Sequence, residues 1–168
     1  MNLIASADIN WDIGFQGNLL YHVSEDMRWF KKHTINKVVI MGRETFASLP
    51  GGKPLVDRVN IILSSKTNLV APGCIVCTTI DDLFIKLAKY KTDDLFVIGG
   101  ASIYEQLLPY CNKAYITKFN KVSQADRFLT NLDQLNNWQL IDTLKDFWHN
   151  GLRYDFCIYQ NKSPKPLP

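Results

Sequence analysis

Short apolar runs alternate along the chain with segments in which apolar residues recur at helical spacing. Apolar runs of this length, bounded by turn formers, are typical of buried strands, and spacing of three and four residues is typical of amphipathic helices. Strands are expected at residues 2–7, 37–41, 58–63, 74–77, 95–98, 113–119, 138–144 and 153–160. Helices are expected at residues 24–34, 43–49, 81–90 and 102–108, with Ser24 as the capping residue of the first.

The order of these elements predicts the fold class. Strands separated by helices favour right-handed crossovers and therefore an α/β fold with a mostly parallel sheet, here of eight strands with four flanking helices. The last two strands are joined through Asn150 and Gly151, which predicts an antiparallel hairpin at the edge. Residues 8–18 are rich in turn formers and are expected to be a loop.

The length and composition fit one globular domain. A chain of 168 residues gives a single domain over residues 1–160, followed by a tail at 161–168 whose three prolines favour a disordered end. A net charge of +3 without a Lys/Arg cluster argues against a nucleic-acid binder. Neither a membrane span nor a signal peptide is indicated, so we expect a cytoplasmic protein.

The chain lacks the patterns of several common catalytic classes. Cys74 and Cys77 form a C-x-x-C pair, but in a strand their side chains point to opposite faces, so four free thiols in a reducing compartment are expected. The three histidines show no metal-ligand spacing, and neither a G-x-S-x-G elbow nor a phosphate-binding G-x-x-x-x-G-K motif is present. We therefore expect no metal site.

One acidic residue departs from the amphipathic pattern. Asp26 falls within the apolar arc of the first helix, one turn from Phe30. A carboxylate in such surroundings is costly unless it is paired. Two interpretations remain open: Asp26 satisfies backbone N–H groups at the start of the helix, or it is a buried acid that binds a cationic or amidine-like ligand.

Glycines follow two of the predicted strands. Gly42 and the Gly99-Gly100 pair lie where strands of an open parallel sheet end, which is where ligands bind in such folds. Glycine there lets the backbone approach a ligand, although each glycine could equally serve helix packing. The standard G-x-G-x-x-G fingerprint of dinucleotide-binding folds is absent.

Taken together and in order, these stretches resemble dihydrofolate reductase over nearly the whole chain. The strongest are residues 13–14, 26–31, 39–46, 58–64, 97–104 and 114–117. The resemblance implies an eight-stranded, mostly parallel sheet with an antiparallel C-terminal strand and four flanking helices. It also implies hydride transfer from NADPH to C6 of 7,8-dihydrofolate with protonation at N5, which gives tetrahydrofolate for one-carbon metabolism.

On the substrate side, the resemblance makes Asp26 the acid that binds the pterin amino group and the adjacent ring nitrogen. Thr117 resembles the hydroxyl that links this acid to the pterin through water, and Arg58 matches the arginine that binds the glutamate α-carboxylate. Further substrate-binding positions are Ile4, Ala5, Met27, Phe30, Leu49, Leu55 and Ile98. Besides Asp26 and Thr117, the implied catalytic residues include Tyr21 and Tyr104.

On the cofactor side, the resemblance implies that residues 14–20 form a mobile loop that closes over the nicotinamide. Arg43 and Thr45 match phosphate contacts. The full set of implied cofactor-binding residues is Ser6, Ile13, Gly14, Leu19, Gly42, Arg43, Glu44, Thr45, Leu63, Ser64, Ser65, Lys66, Gly99, Gly100, Ala101, Ser102, Ile103 and Tyr104.

Five positions depart from the family pattern. Leu20 and Tyr21 stand where the family usually has Pro-Trp, Glu44 where a basic or neutral residue is common, and Ser102 where a basic residue is common. Asp126 keeps the family's loop aspartate, but Arg127 stands where a hydroxyl residue often follows it. Recognition of the cofactor 2′-phosphate is therefore expected to depend on Arg43, assisted by Ser64, Ser65 or Lys66.

Two other functions are compatible with this fold. One is a related reductase of a pterin or pyrimidine, such as a riboflavin-pathway reductase, and the other is a non-catalytic module that binds NADP or a pterin. Asp26 and Arg58 argue against the first because both serve groups of folate itself, and an intact acid and loop argue against the second. We expect a monomer whose partners are dihydrofolate and NADPH.

Overall fold

The computed structural model describes residues 1–168, which form eleven strands and four α-helices. The strands are β1 (Asn2–Asp8), β2 (Asp12–Phe15), β3 (Asn18–Leu19), β4 (Val38–Gly42), β5 (Val59–Leu63), β6 (Cys74–Cys77), β7 (Leu95–Gly99), β8 (Lys113–Phe119), β9 (Arg127–Phe128), β10 (Trp138–His149) and β11 (Leu152–Asn161). The helices are α1 (Ser24–Thr34), α2 (Arg43–Ser48), α3 (Ile80–Leu87) and α4 (Ala101–Leu107).

The main sheet has eight strands in the order β10-β11-β8-β1-β7-β4-β5-β6. All neighbouring pairs from β8 to β6 are parallel, whereas β11 runs antiparallel to both β8 and β10. The predicted fold class and the edge hairpin at Asn150 and Gly151 are therefore confirmed. Because β1, β4 and β7 run in the same direction, their carboxyl ends meet at one edge of the sheet.

The expectation of a loop over residues 8–18 is wrong. β2 and β3 form a hairpin, with Gly14 opposite Leu19 and Phe15 opposite Asn18, and β9 adds a third strand. The turn uses Gln16 and Gly17, both at positive φ (49° and 81°), which is the backbone that two-residue hairpin turns favour. We call this three-stranded unit the small sheet.

Both faces of the main sheet are covered. The larger core contains 27 buried residues, among them Cys77 and Leu83. A smaller core on the opposite face contains Ile62, and Cys74 packs against this smaller core. Cys74 and Cys77 thus lie on opposite faces as predicted, and all four cysteines are free thiols. No helix is long and apolar enough to cross a membrane, and no group of three or more His, Cys, Asp or Glu side chains is placed to hold a metal ion.

Some element ends differ from the prediction. Ser24 does not cap α1: its hydroxyl donates to Glu25 Oε2 at 3.1 Å, and the capping residue is Val23. The tail is not a disordered end, because Lys165 N donates to Pro109 O at 2.8 Å and Leu167 packs against the larger core. Apolar contacts and backbone hydrogen bonds therefore order the segment despite its prolines.

Candidate active site

A large cavity of about 1300 Å³ opens at the carboxyl ends of β1, β4 and β7. Its walls are α1, the starts of α2 and α4, and the small sheet. A cavity at this edge is where open α/β sheets bind ligands. The volume exceeds the roughly 300–1000 Å³ of common single-ligand pockets, which is consistent with two ligands side by side.

Asp26 projects from the first turn of α1 into this cavity and is only 4% exposed. The Thr117 hydroxyl on β8 donates to Asp26 Oδ1 at 2.6 Å. Burial raises the pKa of Asp26 to about 6, and the hydrogen bond from Thr117 opposes that rise. The carboxylate accepts no hydrogen bond from a backbone N–H of its helix, so the helix-start interpretation is not supported and Asp26 is available to a ligand.

The walls next to Asp26 are mainly apolar. Met27 and Phe30 from α1, together with Leu49, Leu55 and Ile98, line the cavity, and Phe30, Leu49 and Leu55 pack against the core cluster that contains Ile98. Such a slot suits a flat aromatic ring, because it removes apolar surface from water while leaving the carboxylate as the polar anchor.

Tyr104 fixes the backbone where β1 passes the cavity. Its hydroxyl donates to Ile4 O at 2.8 Å, and the ring is buried. A Cβ on Gly99, whose φ is +117°, would lie 3.2 Å from the Tyr104 hydroxyl oxygen. The tyrosine therefore packs directly on the glycine, and this position requires glycine both for its backbone conformation and for space.

Arg58 lines the end of the cavity near the C-terminus of α1. Its Nε donates to Val56 O at 3.0 Å, and its Nη1 donates to Thr34 Oγ1 at 3.1 Å. Burial lowers the pKa of Arg58, which nevertheless remains a cation at neutral pH. Because no carboxylate of the chain forms an ion pair with it, the rest of the guanidinium is available to an anion.

The opposite part of the cavity is lined by small and polar residues. Gly42 and Gly100 are tightly packed, since a Cβ would lie 3.1 Å from Ile103 Cγ1 and 3.3 Å from Thr45 Oγ1, respectively. Ser64 and Ser65 line the same region beside Arg43. Hydroxyls, exposed backbone and one arginine form a donor set that suits phosphate groups.

Comparisons with known proteins agree with this geometry. The dihydrofolate reductase family model matches residues 1–161. The chain belongs to the dihydrofolate reductase family. It is 34% identical to the dihydrofolate reductase of Bacillus subtilis (strain 168) over 166 residues, covering 97% of this chain and 95% of that protein. It is 32% identical over 170 residues to dihydrofolate reductase type 9 of Escherichia coli, covering 98% and 94%.

A solved family structure has the same fold. The dihydrofolate reductase from Enterococcus faecalis, complexed with NADP(H) and RAB-propyl, superposes with a TM-score of 0.85 at 27% sequence identity, covering 95% of each chain. The predicted family and fold are thus confirmed.

Most of the residues that the sequence assigns to the dihydrofolate reductase site line the one cavity. Three do not: Tyr21, Lys66 and Thr117. Thr117 contacts Asp26 directly, and its link through water to the pterin amino group stays a prediction. The Tyr21 hydroxyl lies 2.7 Å from Ser123 Oγ, and only the backbone of Lys66 contacts a site residue, Ser64 Oγ, so the roles of these two side chains stay predictions.

The lid predicted over residues 14–20 is held in place by Asp126. Gln16 N donates to Asp126 Oδ2, and Asp126 N donates to Gly14 O, both at 3.0 Å. These contacts connect the β2–β3 hairpin to β9, so the segment that lines the cavity at Ile13, Gly14 and Leu19 is part of the small sheet.

Sequence reasoning missed a further set of cavity residues. They are His22, Lys31, Ser48, Pro50, Thr78, Thr79, Ile80, Glu105, Gln106 and Arg127, whereas Phe15, Gly17 and Asn18 belong to the loop predicted over residues 14–20. Lys31 and Gln106 lie one helical turn from predicted residues, and this spacing is a signal that could have identified them. Arg127 gives no such signal, because it reaches the cavity only through the pairing of β9 with β2.

Proposed function

We propose that Asp26, Thr117 and Arg58 hold dihydrofolate, while Arg43, Thr45, Ser64, Ser65 and the Gly99-Gly100 segment hold NADPH. As a dihydrofolate reductase, the chain reduces 7,8-dihydrofolate to tetrahydrofolate with NADPH. The observation that carries the residue assignment is Asp26, a buried acid in the cavity wall that lacks a cationic partner in the chain.

The hydroxyl groups, exposed backbone and arginine in one part of the cavity support the assignment of that part to NADPH. Arg43, Thr45 and the two serines would hold the phosphates, and Gly42 and Gly100 would present backbone to the dinucleotide, since both line the cavity and carry no side chain. When bound, NADPH supplies the hydride.

Asp26 would bind the pterin through both carboxylate oxygens. These accept hydrogen bonds from the 2-amino group and the neighbouring ring nitrogen, which provides the partners that the buried carboxylate otherwise lacks. Thr117 fixes the orientation of the carboxylate by donating to Oδ1. With a pKa of about 6, Asp26 also supports the proton that the product gains at N5.

Arg58 would bind the glutamate end of the substrate. Two of its donors are already used by Val56 O and Thr34 Oγ1, and these contacts fix the plane of the guanidinium. A fixed plane favours a carboxylate that accepts two parallel hydrogen bonds. Lys31, which also lines the cavity, adds a second positive charge.

The test of this function is an absorbance assay with the purified protein. NADPH is mixed with 7,8-dihydrofolate, and the cofactor absorbance is expected to fall only when both are present. Replacing dihydrofolate with an aminopyrimidine precursor of riboflavin should give no oxidation. NADPH binding without oxidation would instead indicate the non-catalytic module.

Replacing Arg43 with alanine should change the choice of cofactor. Arg43 is the only cation of the predicted cofactor set that lines the cavity, and its contact with Glu44 Oε1 is loose at 3.7 Å, so it is free to bind the 2′-phosphate. KM for NADPH should rise much more than KM for NADH, because only NADPH loses a charge-assisted contact. Both constants are measured at fixed dihydrofolate and low salt. An unchanged preference would shift the assignment to residues 64–66.

We further infer that the protein works as a monomer in the cytoplasm. One chain provides every wall of the cavity, so no second copy is needed to complete the site. Its four cysteines are free thiols, which is typical of proteins in a reducing compartment.

A further inference from the structure

Arg127 lies where the small sheet meets the start of α2, and both it and Glu44 line the cavity. Arg127 Nη2 is 3.8 Å from Glu44 Oε2, and Arg43 Nη2 is 3.7 Å from Glu44 Oε1. The Glu44 carboxylate therefore lies between two guanidinium groups, one from α2 itself and one from the small sheet. Arg127 is not among the residues assigned to dihydrofolate or to NADPH.

Both ion pairs are weak enough to be exchanged. The two distances exceed those of direct hydrogen bonds, and the Arg127 and Glu44 side chains are 52% and 73% exposed. A phosphate oxygen offers a guanidinium a shorter, charge-assisted contact than this carboxylate does. An anion that entered between the small sheet and α2 would therefore displace Glu44 as the partner of Arg127.

Two arginines and two glutamates line the cofactor part of the cavity, so the phosphates need both arginines to balance the two carboxylates. Besides Arg43 and Arg127, the charged side chains that line this part are Glu44 and Glu105. Without Arg127, the phosphates would face two carboxylates with only one compensating cation, which is unfavourable for an anionic ligand.

The pairing of β9 with β2 places Arg127 beside the predicted nicotinamide contacts rather than beside the residues assigned to the 2′-phosphate. Arg127 pairs with Gly14 of β2, and its Cβ lies 3.7 Å from where a Cβ on Gly14 would be. Arg127 thus belongs to the unit that carries the predicted nicotinamide contacts Ile13 and Gly14. Ser64 and Ser65, assigned above to the 2′-phosphate, lie instead after β5 of the main sheet.

We infer that Arg127 binds the diphosphate of the dinucleotide in place of Glu44; its Nη1 donates to Asp126 O at 2.9 Å and lies 3.7 Å from Asp126 Oδ1, which leaves Nη2 to exchange Glu44 for a phosphate oxygen. This inference rests on the proposed NADPH site. It also connects the small sheet directly to the cofactor. Asp126, the residue before Arg127, accepts a hydrogen bond from Gln16 N of the β2–β3 hairpin.

The test is calorimetric titration of the protein with NADPH, NADH and folate at low salt. Arg127→Ala should weaken NADPH and NADH binding by the same factor, roughly tenfold, which is the low end for one hydrogen bond to a charged group. Folate affinity should not change. Arg28→Ala, an exposed arginine paired with Glu25 outside the cavity, is the matched control and should bind all three ligands normally.

A double-mutant cycle with Glu44→Gln examines the exchange itself. Glu44→Gln should tighten binding of both cofactors several-fold, and Arg127→Ala should cost less in that background, because no uncompensated carboxylate remains. Normal NADPH affinity of Arg127→Ala would overturn the inference, as would an equal loss of folate affinity or a changed NADPH/NADH ratio. Failure of the unmodified protein to bind NADPH would overturn the proposed function instead.

Discussion

Replacing Asp26 with asparagine should abolish most turnover while leaving the fold and cofactor binding intact. Asparagine keeps the size of the side chain but cannot carry the negative charge that supports a protonated pterin. We expect kcat/KM for dihydrofolate at pH 7 to fall by about 10²- to 10⁴-fold, the range for the loss of a positioned acid–base group. Steady-state assays with saturating NADPH provide the measurement.

The pH profile makes this prediction more specific. Reduction consumes one proton, and the free protein takes up a proton at Asp26 with a pKa of about 6; in the complex this one proton can reside on the pterin, beside the negatively charged carboxylate. The activity of the unmodified enzyme should therefore decline as the pH rises above about 6, whereas the asparagine variant should show no such inflection. Asp142→Asn, an exposed aspartate on β10, is the matched control and should leave both rate and profile unchanged. Near-normal turnover of Asp26→Asn at pH 7 would exclude Asp26 as the pterin-binding acid.

The stability of the free protein gives an independent check that Asp26→Asn is folded. The pKa of Asp26 rises from 3.8 to about 6 on folding, so the fold favours the protonated form. That stabilisation is fully present below pH 3.8 and is lost as the pH rises through about 6. At pH 7.5 the neutral asparagine should therefore make the free protein more stable, by about 2–3 kcal/mol for roughly two pKa units. Urea unfolding should show this gain at pH 7.5 and almost none near pH 4.

The main sheet could be predicted from the sequence because burial on both faces leaves a strong local pattern. Apolar runs such as Val38–Gly42 and Leu95–Gly99 are nearly continuous, as strands covered on both sides require. The small sheet left no such pattern. Its strands are two to four residues long, and β2 pairs with β9, which lies more than a hundred residues away in the sequence. Pairing across that separation is determined by tertiary contacts.

The site shows the same division between local and distant information. Helical periodicity alone indicated that Asp26 lies on an apolar face, because this depends only on neighbouring residues. The partner of Asp26 could not be found in this way, since Thr117 is 91 positions away and only the family resemblance indicated it. Arg127 was missed for a related reason: its approach to Glu44 depends on the unpredicted strand β9.

Replacing Arg58 with lysine should weaken dihydrofolate binding and leave NADPH binding almost unchanged. The guanidinium is held by Val56 O and Thr34 Oγ1, so its free donors have a fixed direction that a single ammonium group cannot reproduce. We expect a loss of about 1.5–3 kcal/mol, the range for hydrogen bonds to charged groups, which is roughly a 10- to 150-fold weaker affinity. Titration calorimetry with dihydrofolate and with NADPH provides both values.

A pterin that lacks the glutamate separates binding from a structural role of Arg58. If Arg58 contacts the α-carboxylate, Arg58→Lys should bind such a pterin about as well as the unmodified protein does. Arg28→Lys makes the same exchange at an arginine that contacts only Glu25, and it should leave the affinity for dihydrofolate unchanged. Equal losses for dihydrofolate, the truncated pterin and NADPH would mean that Arg58 supports the fold through Thr34 and Val56. The substrate carboxylate would then be bound by another residue, and Lys31 in the cavity wall is the candidate.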